Sequence, residues 1–242
     1  MQSIIMNNKL FFTRIIFLLQ ICLSTIYFSS TNSFAYQNTL EKIKSSGVLT
    51  WGFDAEGGAP YVFHDLKHSS KLIGFEVELV EAIARELGVK VQCFQNAWDG
   101  ILLSLQRGDF DIALNGIEIT PDREQSVLFT RPYYVYAEQI VVRAADNRIN
   151  SIDAVFVDLP IASYYAMPNP QLRLVGKPAG EGYYGIAVRK EDTALAEELN
   201  KIIEKLLRTG ELKKIYGRWG LWNTAVQGIY FTTPKMIGLE YF

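Results

Sequence analysis

The sequence predicts an α/β protein with a largely parallel sheet covered by helices. Short apolar runs alternate with longer stretches of helical period, and glycines punctuate the joins. Beyond the N-terminal apolar stretch the elements read β-α-β-α-β. Val48 to Phe53 is a run of strand length, and Gly57-Gly58-Ala59-Pro60 after it reads as a loop. From Phe75 to Leu87, Leu79, Ile83 and Leu87 recur at helical spacing, and Gly88 supplies the stop. Val89 to Phe94 is a second strand. Trp98 to Gln106 is a short helix closed by Gly108, and Phe110 to Leu114 is a third strand. Farther on, Leu195, Leu199, Ile202, Ile203 and Leu206 form one helix face, with Glu197 and Lys201 as an i,i+4 pair on the other. Gly210 ends that helix, and Glu211 to Tyr216 begins a last one.

The N-terminus carries a targeting signal. Lys9 and Arg14 are the only charged side chains in the first 35 residues, Ile15 to Phe28 is mostly apolar, and Ser33-Phe34-Ala35 is a small-x-small site. Residues 1–35 read as a secretory signal peptide cleaved after Ala35. The rival, an uncleaved anchor, has a short apolar run for a span of about 20 residues. Ile21 before Cys22 is not small, so lipidation is not expected. Of the 242 residues, 207 follow Ala35, with 22 basic and 26 acidic side chains, a net charge of −4. That balance offers no basic patch for nucleic acid. Cys93, in VKVQCF, has no partner for an internal disulfide and reads as a buried small hydrophobe. His64 and His68 share i,i+4 spacing in a polar loop without helical pattern, so no metal is expected.

The densest signal is FDIALNGIEITPDREQ, residues 110–125. Asn115 and Gly116 break the strand, and glycine lets backbone approach a ligand. Thr120-Pro121-Asp122-Arg123 then looks like a helix start, with a hydroxyl cap, proline at the first position and an acid in the first turn. Arg123 therefore projects from the carboxyl end of a strand, the edge where open α/β sheets bind ligands. Its forked guanidinium suits a carboxylate.

Five segments in order resemble the extracytoplasmic solute-binding proteins of amino-acid ABC transporters, the polar amino-acid receptor family 3. They are LEKIKSSGVLTWGF, GFEVELVEAIARELG, NAWDGILLSLQRGDFDIALNGIEITPDRE, DAVFVDLPIASYY, and GYYGIAVRKED with ELKKIYGRWG, spanning about Leu40 to Asn223. The resemblance implies a type II periplasmic-binding-protein-like fold, in which two α/β lobes joined by crossover hinge strands close on one amino acid. Residues 36–136 would form most of lobe one. Residues 137–190 would form lobe two with the hinge strands, and 191–223 the helices returning to lobe one. The aromatic, apolar tail 224–242 falls outside the resemblance. The implied function is periplasmic binding of an amino acid and its delivery to a membrane permease, by a monomer without cofactor or catalysis. The chain stops before any permease-like segment, so the permease is expected to be a separate polypeptide.

The resemblance also assigns roles. Arg123 would grip the α-carboxylate, and Thr120 would cap the turn or orient that arginine. The Gly116 backbone and the side chain of Glu118 would meet the α-ammonium or carboxylate. Asp158 would take the α-ammonium from lobe two, while Tyr61 and Trp98 would line the pocket. Core packing is the alternative for Tyr61 and Trp98, and a turn or helix N-cap before Leu159-Pro160 the alternative for Asp158. Relatives often carry a small hydroxyl residue where this chain has Glu118. The acid fits either a cationic ligand such as arginine or lysine, or a direct bond to the α-ammonium.

The middle of the chain departs further. Tyr136 to Arg143 reads as the first crossover and its strand, and only ten residues, Ala144 to Asp153, precede the next strand at Ala154. A βαβ unit needs about 30 residues, so lobe two is expected to be truncated to two or three strands and the helix Leu159 to Tyr165. Weakened or abolished affinity is the expected consequence. Two other classes fit the same fold. One is a periplasmic dehydratase of the cyclohexadienyl type, with Glu118 as acid or base. The other is a non-binding remnant or interaction module acting through lobe one.

Overall fold

The computed structural model describes residues 38–145, 154–223 and 226–228, all within one compact unit that begins at Asn38. The expected leader and nearly all of the tail lie outside the described residues. Among the described residues no helix is long and apolar enough to cross a membrane.

Lobe one is built on a five-stranded sheet. Helix α1 (Thr39–Ser46) is capped by Asn38, whose side chain accepts the Leu40 amide at 3.0 Å, and it leads into β1 (Val48–Phe53). A hairpin of β2 (Phe63–His64) and β3 (Leu72–Ile73) precedes α2 (Phe75–Leu87), β4 (Lys90–Gln95) and α3 (Ile101–Arg107). Then come β5 (Ile112–Ala113), the single-turn α4 (Pro121–Glu124) and β6 (Leu128–Phe129). After the second lobe the chain returns as β10 (Ala187–Val188), α6 (Thr193–Arg208) and α7 (Glu211–Arg218). The sheet order is β4-β1-β5-β10-β6. β1 runs parallel to β4 and β5, while β10, arriving from the second lobe, is antiparallel to both neighbours.

Helices cover both faces, as expected of such a sheet. On one face Leu49, Trp51, Leu79, Ile83, Leu199 and Ile203 belong to a single buried cluster. On the other, Ile101 and Leu105 of α3 meet Phe110, Ile117 and Phe129. The strand expected over 110–114 pairs in the ladder only at Ile112–Ala113. Its neighbour Asp111 is buried and accepts the Thr50 amide at 3.0 Å and the Thr50 hydroxyl at 2.6 Å, while its own amide donates to the Thr50 carbonyl at 3.1 Å, so a side chain supplements the backbone bonding there. Cys93 is exposed, which corrects its reading as a buried hydrophobe. β4 is the sheet's edge strand, and covering one side of an edge leaves part of it open. On α6, Lys201 pairs with Glu198 at 3.5 Å, and Glu198 also faces Lys44 at 3.8 Å.

Lobe two is a truncated lobe. Its sheet has three antiparallel strands in the order β8-β7-β9: β7 (Tyr134–Arg143), β8 (Ala154–Asp158) and β9 (Leu172–Tyr184), with α5 (Leu159–Tyr165) as its helix. Val141, Val157, Leu172, Leu174, Ala162 and Ala166 pack α5 onto one face. Val155 and Phe156, at 58% and 63% exposure, leave part of β8 open to solvent.

Two positions in lobe one bear directly on the site. Gly52 is the next-to-last residue of β1, where an added Cβ would lie 2.2 Å from the Phe110 ring. Glu76, in the first turn of α2, is fully buried. Its Oε1 accepts the Gly116 amide at 2.7 Å and the Tyr133 hydroxyl, while Oε2 has no partner. Burial pushes this carboxyl up to about 7, against the opposing pull of the Tyr133 and Gly116 bonds.

Gly52→Ala is expected to cost about 1–3 kcal/mol by overpacking, read as a lower midpoint in thermal or urea unfolding. An unchanged midpoint would mean that the Phe110 layer can shift. Glu76 sets a pH dependence. The folded state holds its proton more tightly than the unfolded chain, so the stabilisation is complete below pH 4.5 and is lost as pH rises through about 7. The loss amounts to about 3 kcal/mol. Glu76→Gln should flatten stability between pH 5 and 8 relative to the parent, and parallel curves for the two proteins would contradict this.

Candidate functional site

The site forms where the carboxyl ends of β1 and β5 meet the hinge strands. The Asp54 amide donates to Asn115 Oδ1, which fastens the two strand ends together. Asp54 Oδ2 accepts the Trp98 amide at 2.9 Å, and the Trp98 indole N–H reaches the Asn115 carbonyl at 3.3 Å. Trp98 is thereby held over the strand ends, 37% exposed.

Arg123 reaches the same place through its turn. Thr120 caps α4, its Oγ1 accepting the Arg123 amide at 3.3 Å, with Pro121 at the first helical position. The guanidinium carbon of Arg123 lies 5.1 Å from the centroid of the Trp98 ring, within cation–π range. Arg123 Nη1 donates to the Glu118 carbonyl at 3.0 Å and also to the Glu118 carboxylate. The two side chains are 24% and 27% exposed, so this ion pair is partly shielded from water.

Asp158 occupies the opposite side, at the end of β8. It stands at the N-cap position of α5 without making a side-chain cap bond. Its Oδ2 accepts the Tyr61 hydroxyl at 3.0 Å and the Tyr184 hydroxyl, and those two hydroxyls lie 2.9 Å apart. Burial, then the charge of Asp158, raises the Tyr61 phenol; burial, then Tyr61 and Asp158, raises Tyr184. Both therefore remain protonated donors. Glu138 on β7 sits directly across from Asp158 in the ladder. Burial, the Asp158 charge and a hydrogen bond to Asp158 hold the Glu138 carboxyl above its ordinary value, with Glu118 adding to the effect.

Tyr136 joins the two halves. Its ring stacks on Tyr184 at 4.5 Å and 11°. Burial raises its phenol first, then Glu118, Asp158 and Glu138, while Arg123 acts in the other direction. The segment bearing Glu118 is fixed to the second hinge strand by backbone bonds from Ile119 N to Tyr183 O, 2.8 Å, and from Gly185 N to Ile117 O, 3.1 Å.

The sequence-predicted residues fall into two groups. Arg123, Glu118, Thr120 and Trp98 form one, and Asp158 with Tyr61 the other. Gly116 lies between them with φ +59, Tyr61 packed close to its α-carbon, and its amide already donated to Glu76. The amide is therefore engaged within the protein. A cavity of about 210 Å³ adjoins the first group, lined by Trp98, Asp99, Ile101, Leu102, Ile117 and Arg123. It does not reach Asp158 or Tyr61, and it is smaller than the roughly 300 Å³ at which small-molecule pockets begin. Glu138, Tyr136, Tyr184 and Glu76 escaped sequence reasoning. Glu76 left a signal: an acid three residues before Leu79 and seven before Ile83, on the apolar face of its helix. Glu138, alternating with Tyr136 and Ile140 in a hinge strand, left a weaker one.

Residues 49–221 match the model of the bacterial extracellular solute-binding proteins, family 3. A putative ABC transporter arginine-binding protein 2 of Escherichia coli K12 is 25% identical, with 73% of this chain and 93% of that protein covered. The L-cystine-binding protein TcyJ of the same organism is 25% identical over 78% of this chain and 89% of its own. Among solved structures, an ancestral cationic amino acid solute-binding protein superposes with a TM-score of 0.66 at 28% identity, covering 75% of this chain and 99% of that one. An ancestral arginine-binding protein bound to arginine gives 0.63 at 30%, over 72% and 98%. With the two-lobed fold, the matched stretch from 49 to 221 and Arg123 at the strand ends, this chain belongs to the bacterial extracellular solute-binding proteins of family 3.

Proposed function

We propose that this protein binds a free amino acid with a cationic side chain outside the cytoplasm and delivers it to an ABC transporter permease. The observation that carries the reading is the charge arrangement: one guanidinium, Arg123, is paired with Glu118, and two further carboxyl groups, Glu138 and Asp158, stand across from each other in the adjoining hinge ladder. Arg123 takes the ligand's α-carboxylate, and Asp158 takes the α-ammonium. Glu118 and Glu138 remain to meet a positive side chain. Trp98 and Tyr61 line the pocket, Thr120 holds the arginine's turn, and Gly116 lets the Tyr61 ring approach. The relatives described as arginine-binding, and the solved cationic amino acid binder, support the ligand class. Residues 1–35 serve as the export signal, cleaved after Ala35 to leave a periplasmic monomer. No group in the proposal carries out bond-making or bond-breaking.

A second reading is a folded member that no longer binds. It is favoured by the internal satisfaction of both ends of the site, Arg123 by Glu118 and Asp158 by two tyrosine hydroxyls, beside a cavity of only about 210 Å³. A thermal melt of residues 36–242 with millimolar arginine, lysine, glutamine or glutamate separates the two. A ligand at 100 times its Kd adds about 2.7 kcal/mol to the folded state. The proposal expects a shift with arginine or lysine that Arg123→Ala abolishes, since losing a charged carboxylate clamp costs about 2 kcal/mol or more. A cooperative melt that no amino acid moves would favour the second reading.

A further inference from the structure

We infer that Glu118 is the selectivity determinant of this site, acting as an internal competitor for Arg123; the inference rests on the reading of the site as an amino-acid pocket. Arg123 Nη1 is held twice by residue 118, through the backbone carbonyl at 3.0 Å and through the side-chain carboxylate. Five residues separate the two, and the Thr120 cap and the one-turn α4 fix their relative position. A carboxylate tethered this closely competes with a free ligand at high effective concentration. An incoming α-carboxylate must therefore displace Glu118 from Nη1.

The displaced carboxylate, 27% exposed, moves among further carboxyl groups. Glu118 bridges to Tyr184 in the backbone, Glu138 and Asp158 stand opposite each other in the neighbouring ladder, and the Glu118 charge helps to raise both the Tyr136 phenol and the Glu138 carboxyl. Among the described residues Arg123 is the cation bonded to Glu118. A partly buried carboxylate deprived of its cation is costly unless another cation replaces it. Arginine and lysine bring that replacement in the side chain. Glutamine brings none, and glutamate adds another negative charge. Glu118 thus turns a general carboxylate receptor into one that gains only from cationic ligands. A hydroxyl residue at this position would leave Arg123 open to any amino acid.

The test uses the purified protein and its Glu118→Thr and Glu118→Gln variants. Each is checked for a cooperative melt and titrated with L-arginine and L-glutamine by calorimetry and by tryptophan fluorescence, to which Trp98 beside Arg123 contributes. The parent should favour arginine by about tenfold or more, the scale of one compensated charge pair. Both variants should narrow that ratio to about threefold or less, chiefly by binding glutamine more tightly. Glu118→Gln keeps the side-chain size, so a folding defect in the threonine variant does not remove the test. Unchanged ratios in proteins that do bind would overturn the role of Glu118 and leave the amino-acid reading standing. Parent and variants that melt cooperatively and bind neither ligand would overturn both.

Discussion

Everything at the junction of the two lobes is arranged around the Asp158 carboxylate. A carboxylate drawn away from water needs donors, and here they come from opposite lobes: Tyr61 from the loop after β1, and Tyr184 from the end of β9. Tyr184 is fully buried. It pairs with Tyr134 in the ladder, stacks between Tyr134 and Tyr136, and its carbonyl accepts the Tyr133 amide at 3.0 Å. With Tyr184 fixed, residues 183–185 present backbone groups to 117–119, and the strand return is aligned with the turn that carries Glu118 and Arg123. The position of the arginine thus follows from bonds that begin at an aspartate in the other lobe.

The elements that sequence reasoning reads well are those whose signal is local. The strand at Val48–Phe53, the helix at Phe75–Leu87 with its Gly88 cap, and the helix at Leu159–Tyr165 lie where apolar period and helix stops place them. The turn at Thr120 is equally local, because cap, proline and acid are consecutive. What the sequence hides is pairing across distance. Glu138 and Asp158 face each other only because β7 and β8 adopt one register. Tyr184 meets Tyr61 across 123 residues of sequence, a contact that no local pattern announces. Cys93 looked apolar in its window, and its exposure follows from β4 being at the edge, a property of strand order rather than of the strand. The same limit applies to Glu118. Its charge was visible, and its sequestration by Arg123 five residues away was not.

The shortened second lobe holds together by leaning on the first. Its sheet has one helix, and α5 reaches lobe one through Tyr164, whose ring lies 5.9 Å from Phe63 and 6.3 Å from Trp219. Trp219 is in turn fixed by its indole bond to Glu78 at 2.9 Å, and Arg218 pairs with the same carboxylate. Aromatic contacts of this kind are worth about 0.5–1.5 kcal/mol each beyond the area they bury. A lobe with a thin core gains proportionally more from them than a full-sized one would.

That dependence bears on how the site can work. In a hinge-closing receptor the lobes separate to admit ligand and are held together afterwards by contacts the ligand completes. Here the protein supplies much of that closure itself, through Tyr61–Asp158, Phe63–Tyr164 and Tyr164–Trp219. Opening would break these contacts and expose more of a small core already open at Val155 and Phe156. A ligand shifts such an equilibrium only by the difference in its affinity for the two states. With closure supplied by the protein, the ligand's contribution would come from the electrostatics within the cleft, from the Arg123–Glu118 pair and the facing Glu138 and Asp158. On the proposed reading, the short lobe would move the control of binding from hinge motion to charge pairing, and would give a single carboxylate at position 118 more influence over what the site accepts.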